Sequence, residues 1–423
     1  MGHLLATIVY QALGGLLAGP AFLVMALNGR FGSRWADRLG FPVAGGQKPL
    51  WFHAASVGEA QSALTIIEAM IDNGIYSRFV LSVGTPAGLD RASGLVASWP
   101  QIQIMAPPVD FWGAPGRALD RVGPLALVIV ETELWPELIR QAQRRAIPVL
   151  MTAGRMSQKS FERYRRAQSL FQPLLAGLAL IATAGRSDQR RFLDLGAAED
   201  QTLVVGNPKF DNLVKLAKSP LPMTERPLGR KVLVAGSTEG DEDQLIVAAW
   251  KNLDPRPHLI LAPRHLGRLP LITNFLKGQN LTYRLFSERE GFDWPLEPEV
   301  LVIDSMGQLA KSYAVADLAI VGGSFWAGQG HNPLEPAAYG VPVIFGPHMD
   351  SFSEESADLI AAGAAKTVLP PELSEVLTAW LAQNDPVLVG SRGRELLANR
   401  EPLGPRLAAL VGRAIKAPSN PPM

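Results

Sequence analysis

Short apolar runs separated by amphipathic stretches recur in two series along this chain, and that alternation leaves few folds open. The runs "PLWFHAA" (49–55), "RFVLSV" (78–83), "IQIMAP" (102–107), "LALVIVE" (125–131), "IPVLMTA" (147–153) and "LIATA" (180–184) are nearly free of charge. Between them lie helical patterns such as "EAQSALTIIEAMIDNG" (59–74) and "LWPELIRQAQRRA" (134–146). A strand without a polar face must be covered on both sides, as in a parallel sheet flanked by helices. A second series runs through "KVLVAGS" (231–237), "HLILAP" (258–263), "EVLVID" (299–304), "LAIVGGS" (318–324) and "VPVIFGP" (341–347). The stretch between the two series, 212–230, carries three prolines and no evident period, and reads as a linker. The expectation is an α/β protein of two doubly wound units, 29–211 and 231–423, with the last helices free to pack back on the first unit. A length of 423 residues also favours two domains. Such units take ligands outside the carboxyl ends of their strands, so functional residues are expected in the loops that follow strands, lining a cleft between the units.

Composition narrows the chemistry. There is no cysteine, which excludes disulfides, thiolate metal sites and cysteine nucleophiles. None of the six histidines has metal-ligand spacing, so neither a metal nor another cofactor is expected. A net charge of +1 gives no whole-protein attraction to nucleic acid. Residues 4–27 contain no charged side chain. As a helix they would span about 36 Å, against a hydrocarbon core of roughly 30 Å. No Lys or Arg precedes them, which argues against a signal peptide, while Arg30, Arg34 and Arg38 follow. Residues 1–28 are expected to anchor the protein in a membrane, its body on the cytoplasmic side. Gly14, Gly15, Gly19 and Pro20 leave open whether the segment spans the bilayer or lies in it.

Several loops carry candidate chemistry. In "HAASVGEA" (53–60), Ser56 and Glu59 fit a capping box, and Glu59 equally fits a carboxylate base facing a cleft. "ETELWPELI" (131–139) has Glu131 at the end of an apolar strand, where a carboxylate needs a partner or a role, and Glu133 at the turn, where Thr132 or Glu133 can start the next helix. "GNPKFD" (206–211) ends the last strand of the first unit and places Lys209 toward the linker and cleft. In "AGSTEGDED" (235–243) the backbone of 236–238 is a possible anion site, and the acids are possible helix caps. Arg264, after Pro263 in "APRH", suits forked binding of a phosphate or carboxylate. "SMGQL" (305–309) opens a further helix. In "GHNPLEP", Asn332, Pro333 and Glu335 read as N-cap, N1 and N3. Gly322, Gly323, Gly328 and Gly330 allow close backbone approach to a ligand, and Glu335 can accept bonds from paired ribose hydroxyls. A nucleotide would satisfy that whole string. Lys159, Arg163 and Arg166 share one face of a basic helix, open to solvent, to anionic lipid or to a phosphorylated acceptor.

Taken together, "SVGEA", "ETELWP", "AGRMS", "GNPKFD", "APRH", "SMG" and "GHNPLEPAAYGVPVIFGPHMDSF" resemble the bacterial 3-deoxy-D-manno-octulosonic acid (Kdo) transferases. The likeness extends to about residue 350, and the 330–352 string is its most specific part. It implies inverting glycosyltransferases of the GT-B architecture, a CMP-Kdo donor, a lipid A precursor (lipid IVA) as acceptor, and placement at the inner membrane on its cytoplasmic face. The resemblance makes Glu59 the general base and assigns Glu131 and Lys209 to transition-state support. It places CMP on Pro263, Arg264, Met306, Gly307, Gln308, Asn332, Pro333, Leu334 and Glu335. Gln308 departs from the family pattern, which has glutamate there. Two other readings stay open at this point: a GT-B transferase or epimerase using another sugar nucleotide, and a non-catalytic membrane-anchored scaffold.

Overall fold

A computed structural model describes residues 10–12, 34–42, 48–111, 113–131, 133–220, 230–288, 300–326, 329–382 and 386–416. The chain forms two compact units, Met1–Asp211 with Pro402–Met423, and Asn212–Glu401.

In the first unit seven strands, β1 (Leu50–Ala54), β2 (Phe79–Val83), β3 (Ile102–Met105), β4 (Ala126–Val130), β5 (Val149–Gly154), β6 (Leu180–Thr183) and β7 (Thr202–Val204), form one sheet. Their order is β3-β2-β1-β4-β5-β6-β7, and every pairing is parallel. Side chains alternate between faces along a strand, and both faces are covered. Leu50 and Phe52 of β1 join Val128, Ile66, Ile67 and Met70 in one core. Trp51 joins Val80, Leu127, Ile129, Leu138 and Phe171 in the other. This two-sided burial is why the runs read as continuously apolar.

The second unit repeats the plan. Strands β8 (Val232–Thr238), β9 (His258–Pro263), β10 (Tyr283–Leu285), β11 (Val300–Val302), β12 (Leu318–Val321), β13 (Val343–Phe345) and β14 (Ala365–Thr367) form a parallel sheet of order β10-β11-β9-β8-β12-β13-β14. In the first sheet the chain winds outward from β1 to β3 and then returns to start the other side at β4; in the second, β10 takes the edge and β11 enters between it and β9 before the chain returns to β12. The reversal falls between β1 and β4 in the first unit, and between β8 and β12 in the second.

The structure refines the sequence reading at several points. Of the three short strands β7, β10 and β14, only β7, which runs into "GNPKFD", was expected from the sequence. Each lies at a sheet edge, where its residues are only partly buried. Residues 212–218, read as linker, belong to the helix Asp211–Lys218. Its prolines, Pro220, Pro222 and Pro227, all come after the last turn. The last helix packs back on the first unit, as the sequence reading allowed. The helix Leu403–Ala414 packs in the first unit, with Leu407 and Val411 wholly buried in its core. Each such side chain contributes about 1.5–3 kcal/mol. The Asp211 carboxylate then caps that helix, accepting the Leu403 and Gly404 N–H groups at 2.9 and 2.7 Å. Of the uncharged segment 4–27, only residues 10–12 are described. They are helical, and Tyr10 donates to Asp110 at 2.7 Å. Among the described residues no helix is long and apolar enough to cross a membrane.

The loop after β12 is pinned by close packing. A Cβ on Gly346 would lie 2.2 Å from the Ser324 carbonyl oxygen and 2.6 Å from Phe325 Cα. Neither is the end of a flexible side chain. Gly346→Ala should therefore destabilise the second unit by about 1–3 kcal/mol, lowering its unfolding midpoint by roughly 2–10 °C in calorimetry. An unchanged midpoint would refute the packing constraint.

Candidate active site

In both units the unusual residues gather where the strand order reverses, the place at which open parallel sheets hold ligands. The first cluster follows β1 and β4. After Ala54 the chain turns into the helix Val57–Asp72, with Ser56 as N-cap. Ser56 Oγ accepts the Glu59 N–H at 3.3 Å and donates its own proton to Glu59 Oε1 at 2.9 Å. The Glu59 carboxylate also accepts the Ala55 N–H at 2.6 Å through Oε2. The capping interactions read from the sequence are therefore made, and they fix the carboxylate rather than consume it. Burial pushes the Glu59 carboxyl above the usual glutamate range. The Ala55 N–H opposes that shift, while the charges of Glu131 and Glu133 add to it.

Glu131 takes a left-handed conformation, φ 61°, one residue past the end of β4. For a residue with a Cβ this costs of order 1–3 kcal/mol and is typical of sites held in place by their surroundings. Its carboxylate pairs with Lys209 Nζ. Lys209 sits in the single turn Pro208–Phe210, where the Asn207 side chain accepts its backbone N–H at 3.0 Å. The lysine stem crosses the first turn of the Glu59 helix so closely that a Cβ on Gly58 would meet it at 3.0 Å. The structure thus brings Glu59, Glu131 and Lys209 into one cluster.

Glu133, read from the sequence as an acid at the turn, joins this cluster as well. Burial raises the Glu133 carboxyl; the bond from Trp135 and the charge of Arg163 lower it, and the Glu131 charge raises it further. Trp135 Nε1 donates to Glu133 at 2.7 Å, and its ring meets the buried His53 edge-on at 4.6 Å. His53 Nδ1 lies 2.9 Å from Ser82 Oγ, and burial alone lowers its pKa to about 3, so the ring is neutral. Glu133 lies two residues from a recognised acid. Its hydrogen-bond partner Trp135 is equally near in sequence, while Arg163 and Glu59 reach it from other elements.

The second cluster belongs to the other unit. Pro263 closes β9 and Arg264 follows it, its backbone N–H donating to the Thr238 carbonyl at 3.1 Å. The Arg264 charge reaches Glu335 and lowers its carboxyl, although burial, the larger effect, raises it. Asn332 Nδ2 is 3.4 Å from Glu335 Oε1. Tyr313 is buried nearby, and both burial and the Glu335 charge raise its hydroxyl. Met306 is 72% exposed after β11, and Gly307 has φ 82°. Gln308 precedes the helix Leu309–Tyr313 without capping it.

Three local expectations change here. The helix of the 330–338 string begins at Leu334, not Pro333, and Asn332 accepts the Leu334 N–H at 3.0 Å. With proline at 333 and 336, this helix start offers few free donors to an anion. The glycines answer the chain itself. A Cβ on Gly322 would strike Ser237 O and Thr238 Cα, both at 2.6 Å, and one on Gly323 would lie 2.8 Å from the His331 ring. Gly328 lies outside the described residues. Finally, Glu242, read as a possible cap, is 1% exposed and accepts backbone N–H groups from the β12 loop. Among the described residues no group of three His, Asp or Glu side chains is placed to hold a metal ion.

Comparison with known proteins identifies the family. A family model described as 3-deoxy-D-manno-octulosonic-acid transferase (kdotransferase) matches residues 33–212. The 3-deoxy-D-manno-octulosonic acid transferase of Bordetella pertussis is 33% identical over 347 residues, covering 79% of each chain. A bifunctional glycosyltransferase/methyltransferase of Fusobacterium nucleatum is 32% identical over 315 residues; the match takes in 74% of this chain but only 49% of that one. Among solved structures, a glycosyltransferase from Rickettsia africae superposes with a TM-score of 0.62 over 88% of this chain and 99% of that one. At 10% identity it speaks to the two-unit fold alone. The chain belongs to the 3-deoxy-D-manno-octulosonic acid (Kdo) transferase family and is a glycosyltransferase.

Proposed function

We propose that this glycosyltransferase moves Kdo from CMP-Kdo to a lipid A precursor such as lipid IVA, with inversion at the anomeric carbon. One observation supports the reading most. Glu59 is a fixed carboxylate at the β1/β4 reversal, with raised proton affinity and an ion pair beside it. In the proposed reaction Glu59 takes the proton of the acceptor's primary hydroxyl as that oxygen attacks the anomeric carbon. The bond to CMP breaks, and the electron pair leaves with its phosphate. Arg264 is the group that meets the developing charge in forked geometry. Glu335 accepts hydrogen bonds from ribose hydroxyls, with Asn332 holding it. Pro263, Met306, Gly307, Gln308, Pro333 and Leu334 are the remaining positions assigned to CMP. Lys209 balances Glu131, so that one acid stays neutralised while the other works as base.

The acceptor is a lipid, which makes the uncharged 4–27 segment and the basic face of Lys159, Arg163 and Arg166 relevant. We place the enzyme at the cytoplasmic face of the inner membrane on that ground.

Glu59→Gln should retain CMP-Kdo binding and lose about 10²–10⁴-fold in turnover, measured as Kdo transfer to lipid IVA with products resolved by mass. Near-normal turnover would remove Glu59 as the base. Protection from unfolding by a UDP sugar but not by CMP would replace the donor.

The pH dependence follows from signs. A base must be ionised, so kcat/KM falls as pH drops through the Glu59 pKa, at higher pH than for an ordinary glutamate. The negative charge of Glu133 contributes to that elevation. Glu133→Gln should move the acid limb to lower pH; a limb that stays in place, or moves up, would uncouple the two residues.

A further inference from the structure

The crevice at the β8/β12 reversal is the place where a doubly wound unit ordinarily seats a ligand phosphate on backbone N–H groups. Here the chain fills it. Glu242 opens the helix Glu242–Lys251, and its carboxylate crosses to the loop after β12. Oε2 accepts the N–H groups of Glu239 at 2.8 Å and Gly323 at 2.7 Å. Oε1 accepts those of Ser324 at 2.9 Å and Phe325 at 3.0 Å. Two oxygens with four acceptor sites meet four donors, so the carboxylate is saturated. It is 1% exposed.

The neighbouring charges deepen the effect. Asp243 is buried beside it, taking the Thr238 hydroxyl at 2.5 Å and Arg268 at 2.6 Å. Glu239 meets His331 Nε2 at 3.0 Å and His265 Nε2 at 3.9 Å. Arg268 is thus already spent on Asp243, and it also donates to the Thr238 and Gly240 carbonyls. A phosphate entering this crevice would have to displace a buried carboxylate while facing two more acids. The loop has no room to yield, since a Cβ on Gly322 would lie 2.8 Å from Glu242 Oε2.

We propose that Glu242 is a specificity-determining residue: by filling the crevice's backbone donors with its own carboxylate, it leaves no seat for a second phosphate and restricts the donor to nucleotides carrying one. This rests on the reading of CMP as the donor's nucleotide. One phosphate then goes to Arg264, outside the filled crevice.

The test is calorimetric titration of the full-length protein with CMP and with CDP. In the wild type CDP should bind at least about tenfold more weakly than CMP, the size of one uncompensated like-charge contact. Glu242→Gln keeps the shape but loses the charge and half of the acceptor capacity, and it should shift the CDP/CMP affinity ratio about tenfold toward CDP. Circular dichroism establishes that the variant is folded. Wild-type CDP binding equal to or tighter than CMP would overturn the proposal while leaving the CMP donor standing. A folded variant with an unchanged ratio would also overturn it. If the variant does not fold, the wild-type comparison alone still decides. Failure of CMP itself to bind the wild type would sink the donor assignment, and the inference with it.

Discussion

Covering both faces of a parallel sheet is the constraint on which the rest of this structure depends. Once Leu50, Phe52 and Trp51 point into two separate cores, no polar side chain can leave β1 sideways without losing water on whichever face it enters. His53 is the exception that illustrates the cost: held neutral by burial, it still takes Ser82 as a partner. Chemistry is therefore driven to the strand ends. It concentrates further where the strand order reverses, because neighbouring chains depart there in opposite directions and leave backbone groups uncovered.

The two units use that opening differently. In the first, three carboxylates share a small volume with one lysine, and the charges of Glu131 and Glu133 add to the raised proton affinity that burial gives Glu59. Glu131 is paired with Lys209 in a strained backbone conformation. Glu133 is steadied by Trp135. Glu59 is left with only hydrogen bonds from Ser56 and Ala55, and so carries a raised pKa without a cation of its own. An acid in that condition is suited to take up a proton. In the second unit the acid at the reversal, Glu242, is the opposite case. Four N–H groups saturate it, and it serves the architecture.

Much of the fold was legible in the sequence. The eleven apolar runs quoted above all became strands, because burial on both faces writes itself into every residue of an interior strand. The two that escaped notice, β10 and β14, are edge strands of three residues each, with too little burial to leave a pattern. The Asp211–Lys218 helix was masked by the prolines that follow it. At the site, Ser56 and Glu59 were legible as a capping pair because the partners are three residues apart. Tyr313 was not, since the Glu335 charge that acts on it lies on another element.

Residue by residue, the sequence determined which segments become strands, which turns can start helices, and which loops carry acids, bases and glycines. These depend on interactions over a few positions and on the fixed periods of backbone structure. Tertiary structure alone decided which of those groups meet. Lys209 reaches Glu131 across 78 positions, and Glu242 reaches Gly323 across 81. Whether the glycines of the β12 loop face a ligand or the chain's own backbone, and whether an acid caps its own helix or fills a neighbour's donors, turns on distances of a few tenths of an ångström. Only the packed sheet sets those distances.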